Sequence, residues 1–598
     1  MNPLSRDEHN NKLVALIVIV YALFAVLALR LFYLQITTFA DYARESDQNR
    51  IAQRRIRAPR GHIYARDGEV LARNRAFYTI QMERSSRQEY EATVEALRAA
   101  LDDADLGGQY SRWRRAIRLK RDVSFRTVAV VEERLKADWP GLTIEIEAQR
   151  HYPHGSTAAH LLGYMGILQE DPRTSASRST YVAGDFVGKT GIEKVYEDVL
   201  RGRDGVRFIE VCADGRQRRE FTDREQPAVP GRDLHLTIDL HVQQAAERAL
   251  PDTLAGAVVA LDPRTGAVLA LASKPSFDPN TFVSFQAQEQ RQRILRSEAT
   301  LLNRALHGRY PPGSTLKMVA AIAALQEGIT DTLSTFAACT GTLKVGNVVF
   351  SCLGRENHGA LNLLQAMEVS CNIYFLQLAR LLGMDSWRLF ADRLGFGRPT
   401  GIQSSLSEST GLLPTKDYYR QREAWTLGHL MNLVIGQGAI LVTPIQMARY
   451  VAAIANDGYL VTPHLLGTPP PRQAIAGISQ RTLQIVRESM LRVVYGSRGT
   501  GSRVRLPGVQ VAGKTGTAQV PGANSDAWFV AFAPFDAPTI AVVAVVEQGG
   551  TGGAVAGPVV RAVLEAHFAS EQERATGGLR VQRPAEPPHT PVPGWVLH

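Results

Sequence analysis

Tyr310-Pro311-Pro312-Gly313-Ser314-Thr315-Leu316-Lys317 places a hydroxyl and an amine one helical turn apart. Residues three apart share a helix face, so the Lys317 amine is expected to reach the proton of the Ser314 hydroxyl. Leu316, Val319, Ala320 and Ala323 recur at helical spacing, Pro311 and Pro312 bar an earlier start, and Gly328 is a fitting stop. Ser314 therefore belongs at a helix N-terminus, where unpaired N–H groups and the dipole favour developing negative charge and disfavour a buried ammonium. Lys317 is thus a candidate neutral base. A serine that caps a helix beside a solvated lysine reads the same way in isolation. Lysine is scarce here, however: ten occur among the 68 basic residues, and Ser314 and Lys317 form the one Ser-x-x-Lys pair.

Two elements downstream extend the pattern. Ser370-Cys371-Asn372 offers a second hydroxyl and an amide ahead of an apolar helical run from Ile373 to Leu382. Lys514-Thr515-Gly516-Thr517 lies in a strand-like stretch, Val509 to Val520, whose glycines admit a close substrate backbone. The order Ser-x-x-Lys, Ser-x-Asn, Lys-Thr-Gly is that of the penicillin-recognising acyl-serine transferases. More of the chain resembles the class B penicillin-binding proteins, and within them the elongation-type penicillin-binding protein 2. Arg57 to Gly68 with Leu71 to Asn74, Tyr152-Pro153-His154-Gly155 with Ala159-His160, and Gly188 to Glu193 with Tyr196-Glu197 look like that family's pedestal motifs. Leu236-Thr237-Ile238-Asp239 with Gln243, and Gly436-Gln437-Gly438 with Thr443-Pro444 and Gln446, resemble its transpeptidase signatures.

The resemblance implies a peptidoglycan D,D-transpeptidase that cross-links stem peptides during elongation and is inhibited by β-lactams. Ser314 is the implied nucleophile and Lys317 its base; Ser370 relays a proton, and Asn372 orients the peptide and Lys317. Lys514, Thr515, Gly516 and Thr517 are the implied wall for the substrate's terminal carboxylate, a cation and hydroxyls suiting that anion. Backbone N–H groups of Ser314 and Thr517 would form the oxyanion hole. It also implies a RodA-type SEDS glycosyltransferase and elongation-complex scaffold proteins as partners, since no glycan-polymerising domain is apparent. A D,D-carboxypeptidase or β-lactamase-like hydrolase differs in using water to resolve the acyl-enzyme. A silent scaffold or a β-lactam sensor is the reading outside enzymes. Intact Ser314, Lys317, Ser370, Asn372 and Lys514 argue against silence, and the short stretch before the anchor argues against a signalling domain.

A second Lys-Thr-Gly at Lys189 carries a Gly-Lys-Thr ending, but a phosphate-binding loop needs glycine at Ala183, and Gly184 is one residue out of register. The resemblance assigns that copy to the pedestal. With 598 residues, 45% hydrophobic and 21% charged, the chain is a globular multidomain protein. Leu13 to Leu29 is an unbroken apolar run of 17 residues, prolonged past Arg30 by Leu31-Phe32-Tyr33-Leu34, and no small-residue cleavage site follows. An uncleaved membrane anchor is expected. Arg6 and Lys12 precede it against Asp7 and Glu8, whereas eight arginines against four carboxylates lie between Arg44 and Arg73. That balance opposes translocation, but long domains cross regardless of charge, and the resemblance implies the inner membrane with the catalytic body in the periplasm. The formal charge of +10 comes without a finger, an aromatic ribonucleoprotein motif or a basic helix, so no nucleic-acid partner is expected.

The implied architecture is an α/β (α+β) penicillin-binding transpeptidase fold, a helical block packed on an antiparallel sheet. The expected divisions are a cytoplasmic tail 1–12, an anchor 13–34, an α+β pedestal 35–232, a transpeptidase domain 233–567 and a Pro-rich disordered tail 568–598. Within the pedestal, Tyr90 to Asp102 and Arg112 to Lys120 read as charged helices. Ala257 to Ala272 reads as a hairpin around Pro263-Arg264-Thr265-Gly266, and Trp528 to Ala533 and Ile540 to Val546 read as strands. Cys339, Cys352, His358 and Cys371 suit a closed tetrahedral zinc site; a Cys339–Cys352 disulfide with Cys371 free is the alternative. Relatives carry zinc in this region, so the resemblance implies structural zinc next to Ser370 and Asn372. His151, His154 and His160 lack carboxylate or cysteine partners and read as structural, and Cys212 as a small buried hydrophobe. Glu368 reads as a solvated or capping residue rather than a water-activating base, and His429 takes no role.

Overall fold

The computed structural model describes residues 4–39, 51–83, 86–102, 107, 116–135, 137–139, 141–168, 181, 185–211, 217–402 and 406–576. Cys212, the register at Ala183 and Gly184, and residues 577–598 of the expected tail lie outside them. The chain forms two compact units. One comprises Met1–Pro59, Phe77–Glu147 and Arg201–Gly231, the other Arg60–Ala76, Ala148–Leu200 and Arg232–His598. Segments 60–76 and 148–200, with the pedestal-like motifs, thus cluster with the catalytic body.

In the first unit the helix Leu4–Phe32 continues as a π turn, Tyr33–Thr37. The stretch Asn10–Thr37 has a mean hydropathy of 2.8, and its most apolar window is buried by nothing in the chain. At 1.5 Å per residue it reaches about 40 Å, enough to cross a hydrocarbon core of about 30 Å as a single-pass anchor. Strands Ile51–Ile56, Gly205–Val211 and Gln217–Gln226 form an antiparallel sheet. Helix Arg87–Leu101, capped by Ser86 and Glu89, buries Tyr90, Val94 and Leu97 against Ile80, Met82, Ile117 and Leu119. The expected helix Arg112 to Lys120 is corrected: Ala116–Val123 is a strand paired with Tyr78 to Glu83. Its alternation gives the reason, since Ile117 and Leu119 face the core while Arg118 faces solvent, a period of two.

The second unit is built on a five-stranded antiparallel sheet. Its strands are β1 (Gly256–Leu261), β2 (Val268–Lys274), β3 (Ala512–Ala518), β4 (Asp526–Ala533) and β5 (Ile540–Val546), in the order β2-β1-β5-β4-β3. Its central strands are apolar on both faces, as a sheet covered on both sides requires. One face packs Val258, Ala260, Phe529, Val542 and Ala544 against α1 (Leu240–Ala249) and α8 (Ala556–Ala575). The other packs Val259, Val530, Phe532 and Val543 against a block holding α2 (Lys317–Gln326), α3 (Leu363–Glu368), α4 (Asn372–Arg393), α5 (Leu427–Val434), α6 (Pro444–Ala455) and α7 (Gln480–Tyr495).

The expected departure into a disordered tail at 568 is also corrected, because α8 runs on to Ala575. Its last turns are polar for a reason: Ser570 Oγ donates to Asp239 Oδ2 at 3.0 Å and Arg574 pairs with the same carboxylate. Asp239 in turn caps α1, so the two helices on this face share one buried anion.

Candidate active site

Ser314 sits in a single 3-10 turn, Gly313–Leu316, that leads directly into α2. The turn is tied at its base by Thr315 Oγ1, which donates to Pro312 O at 2.7 Å, and by the Trp528 ring N–H on Pro311 O at 3.0 Å. Three glycines let it press against its neighbours. Gly313 adopts φ +57°, and a Cβ at Gly436 would lie 1.9 Å from Gly313 O. A Cβ at Gly516 would lie 2.9 Å from Thr315 Cγ2, so only glycine lets β3 close on the Ser314 turn. The Gly436-Gln437-Gly438 signature thus buttresses the turn, and Gln437 Nε2 reaches Thr517 O at 3.4 Å.

The second element lies between α3 and α4. Ser370 N–H donates to Met367 O and Cys371 N–H to Ala366 O, so this loop is anchored on the last turn of α3. Ser370 is held at φ +55°, a left-handed conformation that costs a non-glycine residue of order 1–3 kcal/mol unless its surroundings enforce it. Two lysines contribute to that enforcement. Lys317 Nζ donates to Ser370 O at 2.7 Å, and Lys514 Nζ to Ser370 Oγ at 2.8 Å.

Lys317 is fully buried, and its amine also meets Asn372 Oδ1 at 2.6 Å and Ser370 Oγ at 3.3 Å. No hydrogen bond joins it to Ser314 Oγ: the spacing puts both residues on one face, but the amine turns towards Ser370 and Asn372. Burial pulls its pKa down to about 8, against an opposing pull from Cys371 and Cys352. Lys514, equally buried, falls well below the ordinary lysine value through burial and then through repulsion from Lys317. The site therefore holds two amines bridged by one serine hydroxyl with no carboxylate in contact among the described residues, an arrangement that favours an uncharged nitrogen. Asn372 Nδ2 donates to Ser351 O at 2.9 Å, and Thr515 Oγ1 lies 2.8 Å from Thr500 Oγ1.

Cys339, Cys352, His358 and Cys371 converge beneath this loop, all buried, their ligand atoms within 4.8 Å of one another. Sγ–Sγ separations are 3.7 Å for Cys339–Cys352 and 3.8 Å for Cys352–Cys371, and Cys339 Sγ lies 3.6 Å from His358 Nδ1. A disulfide needs about 2.05 Å, so the three thiols are free and the Cys339–Cys352 bridge is not formed. Ligands about 2.3 Å from a tetrahedral centre lie about 3.8 Å apart, and these three separations match that edge. The contact between the two sulfurs holds the Cys352 thiol down and raises that of Cys371.

The remaining candidates fall outside the cleft. His160 Nε2 contacts Thr300 O at 2.8 Å, a structural role. Lys189-Thr190-Gly191 opens a short helix, Gly191–Val195. His429, in the first turn of α5, stacks on Tyr419 and contacts Glu423. Glu368 caps no helix: its Oε1 accepts the N–H of Arg498 at 3.0 Å. Thr500 escaped the sequence reading because nothing in Gly499-Thr500-Gly501 marks it apart from its contact with Thr515.

Two family models match this chain. A penicillin-binding protein transpeptidase domain matches residues 256–565, and a penicillin-binding protein dimerisation domain matches residues 55–236. The chain is 34% identical over 570 residues to peptidoglycan D,D-transpeptidase MrdA of Acinetobacter baumannii, covering 89% of this chain and 84% of the relative. It is 33% identical over 585 residues to the MrdA of Escherichia coli K12, covering 90% and 91%. A chain from a peptidoglycan synthase complex that coordinates polymerization and crosslinking superposes with a TM-score of 0.73 at 32% identity, covering 93% of this chain and 98% of that one. Penicillin-binding protein PBP2 of Helicobacter pylori, in complex with MreC, superposes with a TM-score of 0.76 at 25% identity, covering 87% and 99%.

Proposed function

The chain belongs to the penicillin-binding proteins as a serine-type peptidoglycan D,D-transpeptidase of the elongation type, and from that premise we propose that Ser314 is the nucleophile it acylates. Ser314 Oγ attacks the carbonyl of the penultimate D-alanine in a stem peptide ending D-Ala-D-Ala, and its proton passes to uncharged Lys317. The C–N bond breaks as Ser370 hands its proton to the departing D-alanine amine and takes in exchange the one on Lys317, and an ester remains on Ser314. An amine of a neighbouring stem then attacks that ester, forming the cross-link and restoring the hydroxyl. The N–H groups of Ser314 and Thr517 hold the oxyanion, each typically worth about 10²-fold to 10³-fold.

Lys514, Thr515, Gly516 and Thr517 form the wall for the donor's terminal carboxylate. That anion supplies the counter-charge that returns an ammonium to Lys514, and the ammonium in turn keeps its neighbour Lys317 unprotonated. Asn372 orients Lys317 and the peptide backbone. The observation that carries this reading is the buried Lys317 amine, which touches Ser370 and Asn372 and, among the described residues, no carboxylate. The test is intact-protein mass spectrometry after benzylpenicillin: one adduct, localised to Ser314 and absent from Ser314→Ala. An adduct that persists in Ser314→Ala overturns the assignment.

Cys339, Cys352, His358 and Cys371 fit structural zinc, whose chemistry when bound is to fix thiolates rather than to take part in acyl transfer. Cys371 would thereby hold Ser370 and Asn372 in register. About one zinc per chain by elemental analysis, falling in Cys352→Ser, is the expected outcome, and metal-free folded protein refutes it.

Residues 13–34 anchor the chain in the inner membrane with 35–232 as pedestal and 233–575 as catalytic domain in the periplasm. An alkaline-phosphatase fusion after Val560 is expected to be active, and an inactive one reverses the orientation. By analogy with the MreC-bound and synthase-complex relatives, its partners are elongation scaffold proteins and a RodA-type SEDS polymerase.

A further inference from the structure

Gly496, the residue that ends α7, has φ −60°, which any amino acid adopts. A side chain there would meet both the α7 backbone and Glu368: a Cβ at Gly496 would lie 2.6 Å from Arg492 O, 2.3 Å from Glu368 Oε1 and 2.4 Å from its Cδ. Glu368 Oε1 also accepts the Arg498 N–H at 3.0 Å, so the carboxylate is seated in the turn 496–500. Helix electrostatics do not account for it, because a negative charge at the C-terminal end of α7 opposes that helix's dipole.

The two ends of this contact both lead to the catalytic cleft. Glu368 closes α3, whose last turn anchors the Ser370 and Cys371 N–H groups. The turn ends in Thr500, whose hydroxyl lies 2.8 Å from Thr515 Oγ1, and a Cβ at Gly553 would lie 2.6 Å from Thr500 O on its other side. A hydroxyl carries one proton. When Thr500 donates to Thr515, the Thr515 proton is left free to point at an incoming anion.

We infer that Glu368 and Thr500 are positioning residues of the transpeptidase. Glu368 clamps the 496–500 turn, and Thr500 then orients the Thr515 hydroxyl towards the donor's terminal carboxylate. The inference rests on the reading of Lys514 to Thr517 as the carboxylate wall.

The test compares acylation of the full-length protein by benzylpenicillin with acylation by its methyl ester, which lacks the carboxylate charge. The wild type is expected to prefer the acid. Glu368→Ala and Thr500→Val are each expected to lose about tenfold of that preference, the order expected for one hydrogen bond to a charged group, with the ester rate within about twofold of wild type. Glu368→Gln and Thr500→Ser, which keep an acceptor and a hydroxyl, retain most of it, and the double variant Glu368→Ala/Thr500→Val is no worse than Thr500→Val. Acid and ester rates falling together, additive losses in the double variant, or unchanged preference in both single variants overturn the inference. Should Glu368→Ala not fold, Glu368→Asp, whose shorter side chain draws the carboxylate back from the 496–500 turn, is held to the same outcomes. A wild type indifferent to esterification refutes the carboxylate wall itself, a failure distinct from that of Glu368.

Discussion

Lys189-Thr190-Gly191 and Lys514-Thr515-Gly516 spell the same tripeptide in two settings. In the first, Gly191 has φ +59° and a Cβ there would lie 2.4 Å from Leu161 O, so the glycine serves a tight backbone crossing. Its neighbourhood is a satisfied ion cluster: Glu193 accepts from Arg60 at 2.8 Å, Arg150 at 2.6 Å and Tyr152 at 3.1 Å, and Glu197 accepts from Arg60 and the Gly188 N–H. In the second, Lys514 is buried among a hydroxyl and a carbonyl, with a second buried lysine nearby and no carboxylate partner among the described residues. Charges that are paired contribute to one fold; a buried amine without a counter-ion has a shifted proton affinity and is poised for an anionic ligand.

The largest expected effect lies at the first copy and falls on stability. Glu193→Ala takes from buried Arg150 its carboxylate and leaves buried Arg60 with Glu197 alone, and is expected to cost about 3–5 kcal/mol in thermal or denaturant unfolding. Benzylpenicillin acylation per folded molecule should stay near wild type. Burial alone would raise the Glu193 carboxyl, but Arg150 and Arg60 outweigh it and hold the group below its usual 4.5. Its contribution is therefore full above pH 4.5 and is lost as pH falls through the lower folded value. A Glu193→Ala protein that unfolds like wild type would erase the contrast.

At the second copy the loss falls on reaction. Lys514→Ala is expected to lower the second-order acylation rate about a hundredfold, the order for removing a charged partner of a buried anion, while Lys189→Ala stays within about twofold. Equal losses in the two variants would mean that the tripeptide's setting does not decide its role.

The same contrast marks what could be read from the sequence. The central strands were legible as continuous apolar runs, and the Ser314, Ser370 and Lys514 elements as an ordered set of motifs. Their approach was not: it depends on Gly313, Gly436 and Gly516 lacking a Cβ, and no periodicity encodes that. Spacing put Ser314 and Lys317 on one face but did not choose the lysine rotamer, which points at Ser370 and Asn372. In 116–123 charge density outweighed the period-two alternation in the helix reading, and polar residues at 570–574 looked like a tail because their partner, Asp239, is some 330 residues away. Glu368 and Gly496 also meet across a long, though shorter, stretch of chain, each unremarkable alone.

The smallest effect, and the sharpest on the chemistry, is the pH dependence of acylation. Lys317 accepts a proton only when neutral, and its pKa near 8 makes the neutral fraction fall about tenfold for each pH unit below that value. The second-order rate constant for benzylpenicillin is therefore expected to rise with unit slope from pH 6 and level off above about 8. Stability should move in the same sense. An unfolded lysine titrates near 10.5, so the unfolded chain binds more protons between about 8 and 10.5, and folding strengthens as pH rises through that window. Replacing the amine by an apolar side chain separates the two: Lys317→Met should abolish acylation yet unfold at higher temperature than wild type, most clearly below pH 8 where the buried ammonium is most costly. A flat rate profile between pH 6 and 9 would leave the burial of Lys317 without a catalytic consequence.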